Sequence, residues 1–129
     1  MAASAKTVFN GRKYVTVNIT GTFSAADETD TVVIDKSTLT GMDGTEPTSL
    51  RVDELWWSVN KFDAVQLEWE KTAADELIEN LQGQGYLDFR QDGGKNMIAG
   101  AGTGDIVLTT VGGVANGTYS IYLHCTKKD

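Results

Sequence analysis

Lys13-Tyr14-Val15-Thr16-Val17-Asn18-Ile19-Thr20-Gly21-Thr22-Phe23 alternates apolar and polar residues without a break. Val15, Val17, Ile19, Gly21 and Phe23 fall on one side, and Tyr14, Thr16, Asn18, Thr20 and Thr22 on the other. A period of two over this length is that of a half-buried β-strand. Residues 24–30 are small and acidic and interrupt the pattern, and Thr31-Val32-Val33-Ile34-Asp35 then restores a β-branched run. The pair reads as a hairpin with a long acidic loop.

The same pattern recurs downstream. Residues 105–110 and 118–126 read as a second hairpin across the glycine-rich stretch 111–117. Its last strand is expected to bury Tyr119, Ile121, Leu123 and Cys125 and to turn out Ser120, Tyr122, His124 and Thr126. Residues 50–59 alternate but change phase around Asp53 and Glu54, as a β-bulge makes a strand do. After a turn at 60–63, Val65, Leu67 and Trp69 share one face and Gln66, Glu68 and Glu70 the other, so these two strands are expected to pair. Residues 36–48 are polar and hold Gly41, Gly44 and Pro47, which reads as a surface loop with at most a short strand at 37–39. Residues 72–81 fit a two-turn helix or a strand, and their strand neighbours favour a strand or irregular edge. Residues 85–90 read as another strand, 91–94 as a turn, and Gly100, Gly102 and Gly104 as a flexible loop. About eight strands joined mostly by short turns predict an all-β fold, an antiparallel β-sandwich or jelly roll.

Composition agrees. The chain has 129 residues and 13.9 kDa, the size of one compact domain, with 16 Thr, 11 Val, 6 Ile, 14 Gly and one Pro. The net charge is −7, which opposes the phosphate attraction behind most nucleic-acid binding. That charge is uneven: Lys6, Arg12 and Lys13 place +3 on the first thirteen residues, leaving 8 basic against 18 acidic residues on the rest. The expected organisation is a flexible basic N-terminal arm over 1–12 and a single β-sandwich domain over 13–129. No apolar run has the length of a secretory signal or a membrane span, so the chain is expected to be made in the cytoplasm and not inserted in a membrane.

Reactive side chains are scarce. Cys125 is the single cysteine and so forms no internal disulfide, and its sequence neighbour His124, the single histidine, should point to the opposite face of the strand. Neither a thiol dyad nor a zinc site is expected. The carboxylate groups Asp27, Glu28 and Asp30, Asp53 and Glu54, and Glu68 and Glu70 read as solvated faces rather than a paired acid and base. The loop at 27–30 and the turn at 43–46 offer oxygen ligands for calcium but do not match an EF-hand. Trp56 and Trp57 point to opposite faces, one into the core and one outward. No catalytic residue, metal or cofactor is predicted.

The segments Leu55-Trp56-Trp57-Ser58-Val59, Ala64-Val65-Gln66-Leu67-Glu68-Trp69, Gly85-Tyr86-Leu87-Asp88-Phe89 and Gly104-Asp105-Ile106-Val107-Leu108-Thr109-Thr110 resemble small virion structural proteins of tailed phages, of the β-rich head decoration or cement type. The resemblance runs from about Val15 to Lys127 and carries over no functional residue. It implies a non-enzymatic protein bound to the outer capsid surface, a homo-oligomer, trimer before dimer, that clamps neighbouring major capsid subunits. Contacts are expected from the arm, the 36–48 loop and the 96–104 loop, with Lys6, Phe9, Arg12, Lys13, Met42, Trp56 and Met97 as partner-binding residues. The alternative is a carbohydrate-binding or adhesion sandwich of a phage tail that uses an exposed tryptophan and tyrosines such as Tyr122.

Overall fold

A computed structural model describes residues 3–72, 74–97 and 102–128. The chain runs through β1 (Ser4–Asn10), β2 (Tyr14–Thr22), β3 (Thr31–Ile34), β4 (Ser49–Asn60), β5 (Ala64–Trp69), β6 (Glu76–Leu81), β7 (Gln84–Asp88), β8 (Lys95–Asn96), β9 (Ile106–Val111) and β10 (Thr118–Lys128), with single 3-10 turns at Lys36–Thr38 and Arg90–Asp92. The strands form two antiparallel sheets. The larger has the order β1-β2-β10-β4-β7, with β8 added to β4, and the smaller β3-β9-β5-β6. The all-β sandwich read from the alternation is the fold observed.

β2 keeps the phase its sequence dictates, burying Val15, Val17, Ile19 and Gly21. Beside it β10 buries Tyr119, Ile121, Leu123 and Cys125, and the two stay in register from Thr118↔Thr22 to Thr126↔Tyr14. One apolar cluster joins the sheets: Ile19, Leu55 and Leu123 of the larger meet Leu67, Leu81 and Leu108 of the smaller. Each such side chain contributes ~1.5–3 kcal/mol by leaving water.

Connectivity departs from expectation at three places. β2 and β3, β4 and β5, and β9 and β10 read as hairpins, yet the members of each pair lie in different sheets. The observed partners are β2 with β10 and β3 with β9, then β4 with β10 and β5 with β9. Consecutive strands are therefore collinear halves of ribbons that bend from one layer to the other. Alternation reports that a strand has one buried face; it does not report which layer supplies that face.

Other differences are local. The stretch expected as a free arm runs along β2 as β1, an edge strand with all seven residues exposed and hence no alternation to read. Residues 37–39 are not a strand: the Asp35 carboxylate accepts from Ser37 N at 3.0 Å and caps the 3-10 turn. The phase change in β4 is a bulge, since His124 faces Glu54 while Cys125 faces Val52, which leaves Asp53 as the extra residue. Asp53 is buried, takes a hydrogen bond from Arg51 Nε at 2.8 Å and another from the Thr126 hydroxyl. Thr126, expected at the surface, is covered in consequence. Residues 72–81 resolve to a strand, β6, from Glu76 onward, and Gly102 and Gly104 are the described part of the glycine loop, whose residues 98–101 lie outside the described residues.

The three inter-sheet crossings meet at one end. Phe23 N donates to Gly117 O at 2.9 Å, Asp63 N to Val111 O at 2.9 Å and Gly113 N to Asp27 Oδ1 at 2.9 Å. Phe62 sits edge-on to Phe23 and to Tyr119, with ring centres 6.2 and 5.5 Å apart. The Tyr119 ring lies against Gly21, where an added Cβ would overlap Cζ and the hydroxyl oxygen. Gly83 sits at φ +60 with open space around it. Gly21→Ala is therefore expected to cost ~1–3 kcal/mol or more by overpacking, and Gly83→Ala only ~1–2 kcal/mol from the left-handed backbone. Urea unfolding followed by tryptophan fluorescence measures both, and equal effects would contradict the close approach at Gly21.

Candidate functional site

Side chains singled out for chemistry separate into structural and surface groups. Cys125 is fully buried, and burial, with the charge of Asp53 second, pushes its thiol well above the usual range. His124 points the other way, 2.7 Å from the Thr16 hydroxyl through Nδ1 and stacked on Tyr14 with ring centres 5.4 Å apart. The two cannot exchange a proton directly.

Asp27 and Glu28, read as part of an acidic loop, hold the corner together. Asp27 Oδ1 accepts from the Thr110 hydroxyl at 3.0 Å as well as from Gly113 N. Glu28 accepts from Ala3 N and from the Tyr119 hydroxyl, and its own N–H donates to Thr110 Oγ1 at 2.9 Å. Burial, then the Glu28 hydrogen bond, lift the Tyr119 hydroxyl well above its usual range. Asp53 and Glu54 are divided by the bulge: Asp53 is buried, whereas Glu54 lies on the outer face, accepts from the Tyr86 hydroxyl at 2.8 Å and pairs with Arg90 at 3.4 Å. The turn at 43–46 closes on itself, with Asp43 Oδ1 taking Thr45 N at 3.0 Å and its hydroxyl at 2.7 Å.

Asp30 separates from its loop neighbours and joins Glu68 and Asp75, with carboxylate oxygens within 4.8 Å of one another. The Thr109 hydroxyl stands 3.1 Å from Glu68 and 3.3 Å from Asp30. Partial burial first, and then the charges of Asp30 and Asp75, raise the Glu68 carboxyl against the lowering effect of Thr109. Three carboxylates in this arrangement are oxygen donors of the kind hard divalent cations take. No spacing in the sequence shows this group, because it forms only when β3, β9, β5 and β6 pair and bring the residues just before β3 and β6 beside Glu68.

The partner-binding residues proposed from sequence fall into three places. Lys6 and Phe9 stand on exposed β1, and Arg12 at its end reaches Gly41 O at 3.5 Å, beside exposed Met42. Lys127 fastens that end, its ammonium donating to Asn10 Oδ1, Gly11 O and Thr40 O. Lys13 lies over the Tyr14 ring, 5.4 Å from its centre. Met97 is partly buried against the core. Trp56 stands apart on the outer face of the large sheet, and Trp57 is packed inward, its Nε1 donating to Gln82 O at 2.9 Å. Beside Trp56 are Tyr86 and Tyr122, in register with it from β7 and β10. Sequence turned Tyr122 outward and one of Trp56 and Trp57 without saying which, and assigned Tyr86 no face; the strand order puts the three rings side by side.

Two results should follow. Iodoacetamide should leave the native thiol of Cys125 unmodified and alkylate it on unfolding in urea, read by mass; modification of the native protein would contradict its burial. For Glu68, a carboxyl raised in the folded state costs stability as the pH rises above its ordinary value of 4.5, and that cost is gone once the pH has fallen back to about 4.5. Glu68→Gln should thus raise the melting temperature at pH 7 in EDTA by ~1–3 °C, with the difference closing at low pH. No family model matches the chain, and neither a curated protein nor a solved structure matches it.

Proposed function

We propose that the chain is a non-enzymatic decoration protein of a tailed-phage head, bound to the outer surface of the major capsid lattice as a homo-oligomer, trimer before dimer. The observation that supports this best is β1. It is the outermost strand of the large sheet and exposes all seven residues, including Val8 and Phe9. An unpaired edge carries a row of free N–H and C=O groups that a strand of another chain can take up, with apolar side chains adding contact area. Its register shift between Thr7 and Phe9 leaves Val8 as an extra, outstanding residue.

Charge gives the docking edge a polarity. The first 26 residues contain Lys6, Arg12 and Lys13 and no carboxylate. A second copy offering the same edge would bring like charges together, whereas an acidic capsid surface would not. Arg12 and Met42 extend this surface past the end of β1, because the Lys127 ammonium ties the 40–44 loop to the strand. The order β2-β10-β4-β7 against β3-β9-β5-β6 is also that of a jelly roll, an architecture common among capsid and lectin domains. That is fold-level analogy and bears on architecture before role. A protein that binds the assembled shell and not its separated subunits stabilises the shell by mass action.

Mass spectrometry and immunogold labelling of purified virions should find the chain on heads. Absence from particles, or labelling at the tail tip alone, would overturn the proposal. Lys6→Glu with Phe9→Ser changes exposed residues only and should weaken rebinding to stripped heads by about tenfold or more (~1.4 kcal/mol), with an unchanged melting temperature.

A further inference from the structure

The outer face of the large sheet carries two parallel rows. The first is aromatic: Tyr122 of β10, Trp56 of β4 and Tyr86 of β7 are consecutive register partners and are 41%, 42% and 46% exposed. The second, two residues along each strand, is polar and uncharged: Ser120, Ser58 and Gln84. Most of both rows lines an open depression of about 460 Å³, and no lining side chain there is charged.

Two of these rings are fixed against each other. The Trp56 and Tyr86 ring centres are 4.8 Å apart at 32°, and the Tyr86 hydroxyl is anchored on Glu54. The row spans two strand spacings, about 10 Å. It continues on β2 as Asn18, next to Tyr122 in register.

We infer that this face binds a neutral saccharide chain, with pyranose C–H faces stacked on Trp56 and Tyr122 and hydroxyls bonded to Ser58, Ser120 and Gln84. The chemistry selects the ligand. Flat apolar rings bordered by neutral donors and acceptors match a molecule with both apolar faces and hydroxyls. Single-stranded nucleic acid also stacks on rings but needs cations along its backbone, and this depression has none in a chain of net charge −7. A protein strand would be taken by the β1 edge rather than by a sheet face whose backbone is already paired. The inference does not depend on the capsid reading, since it uses a different surface.

Native electrophoresis through gels containing dextran, starch, laminarin, xylan, galactomannan or hydroxyethylcellulose, together with an array of neutral bacterial surface oligosaccharides, tests it. At least one probe should retard or capture the protein. Trp56→Ala and Tyr122→Ala should each weaken that binding by about tenfold or more, Trp56→Phe should retain most of it, and Leu77→Ala, exposed on the other sheet, should leave it unchanged. Circular dichroism and melting temperature establish that each variant is folded. The inference is overturned if no neutral probe binds, if binding survives Trp56→Ala with Tyr122→Ala, or if only oligo-dT or charged polysaccharides bind. Loss of head binding in these two variants without any saccharide binding would assign the face to the shell and equally overturn it.

Discussion

Tyr119 lies against the bare backbone of Gly21 and donates its hydroxyl to Glu28, and the course of the chain depends on that contact. Gly21 and Tyr119 are opposite one another in β2 and β10, the pair on which the large sheet is built. Glu28 belongs to the crossing from β2 to β3, and through Thr110 it also touches the end of β9. One aromatic side chain therefore links a sheet, the crossing that leaves it and the strand that returns. A hydrogen bond to a charged acceptor contributes ~1.5–3 kcal/mol, more than a neutral one, and desolvation makes its loss costly. Gly21 is what allows the ring to approach, since any side chain there would occupy the same space.

This corner also marks how far a single sequence can be read. Alternation is a property of one strand and its two faces, so β2, β5, β9 and β10 were legible from their own residues. The Asp53 bulge was legible for the same reason, since a phase change leaves its trace within the strand. Pairing is a property of two strands far apart in sequence. Nothing in 24–30 or 111–117 tells a tight hairpin from an inter-sheet crossing, because both need glycine, small residues and polar side chains. The carboxylates of Asp27 and Glu28 look solvated in sequence and become hydrogen-bonded only once Thr110, Gly113 and Tyr119 arrive from the other end of the chain. The same holds for Trp56: alternation turns one of Trp56 and Trp57 outward without telling which, and the two tyrosine neighbours of Trp56 come from strands 30 and 66 residues away.

Charge is distributed to match. Lys36 and Lys127 are largely withdrawn from solvent, and each ties a loop to the body, Lys36 through Glu46 and Pro47 O, Lys127 through two backbone carbonyls and Asn10. Burial lowers the Lys127 ammonium from its ordinary value, with Arg12 adding to the effect. Its amine meets three acceptors, so it works as a fastener for β1 and the 40–44 loop. On the outer face the charges are self-contained: Arg90 holds the Asp88 carboxyl down at about 2 and also faces Glu54. Lys6, Arg12 and Lys13 of β1 and its end add positive charge at the edge of the sheet.

A six-stranded sheet offers a partner two geometrically different surfaces, its edge and its face, and here they differ in chemistry as well. The edge at β1 has free backbone groups, apolar side chains and positive charge, which suits a protein strand or an acidic protein surface. The face has paired backbone, fixed rings and no charge in its depression, which suits a ligand that brings its own hydroxyls. The two are joined by a register row that runs from Lys6 on β1 through Asn18 and Tyr122 to Trp56 and Tyr86, so they are adjacent without sharing a side chain. A chain docked by its edge would hold that face roughly perpendicular to the line of contact and leave it accessible. The strand order that brings β10 into the middle of the large sheet is thus what sets an edge of one chemistry beside a face of another.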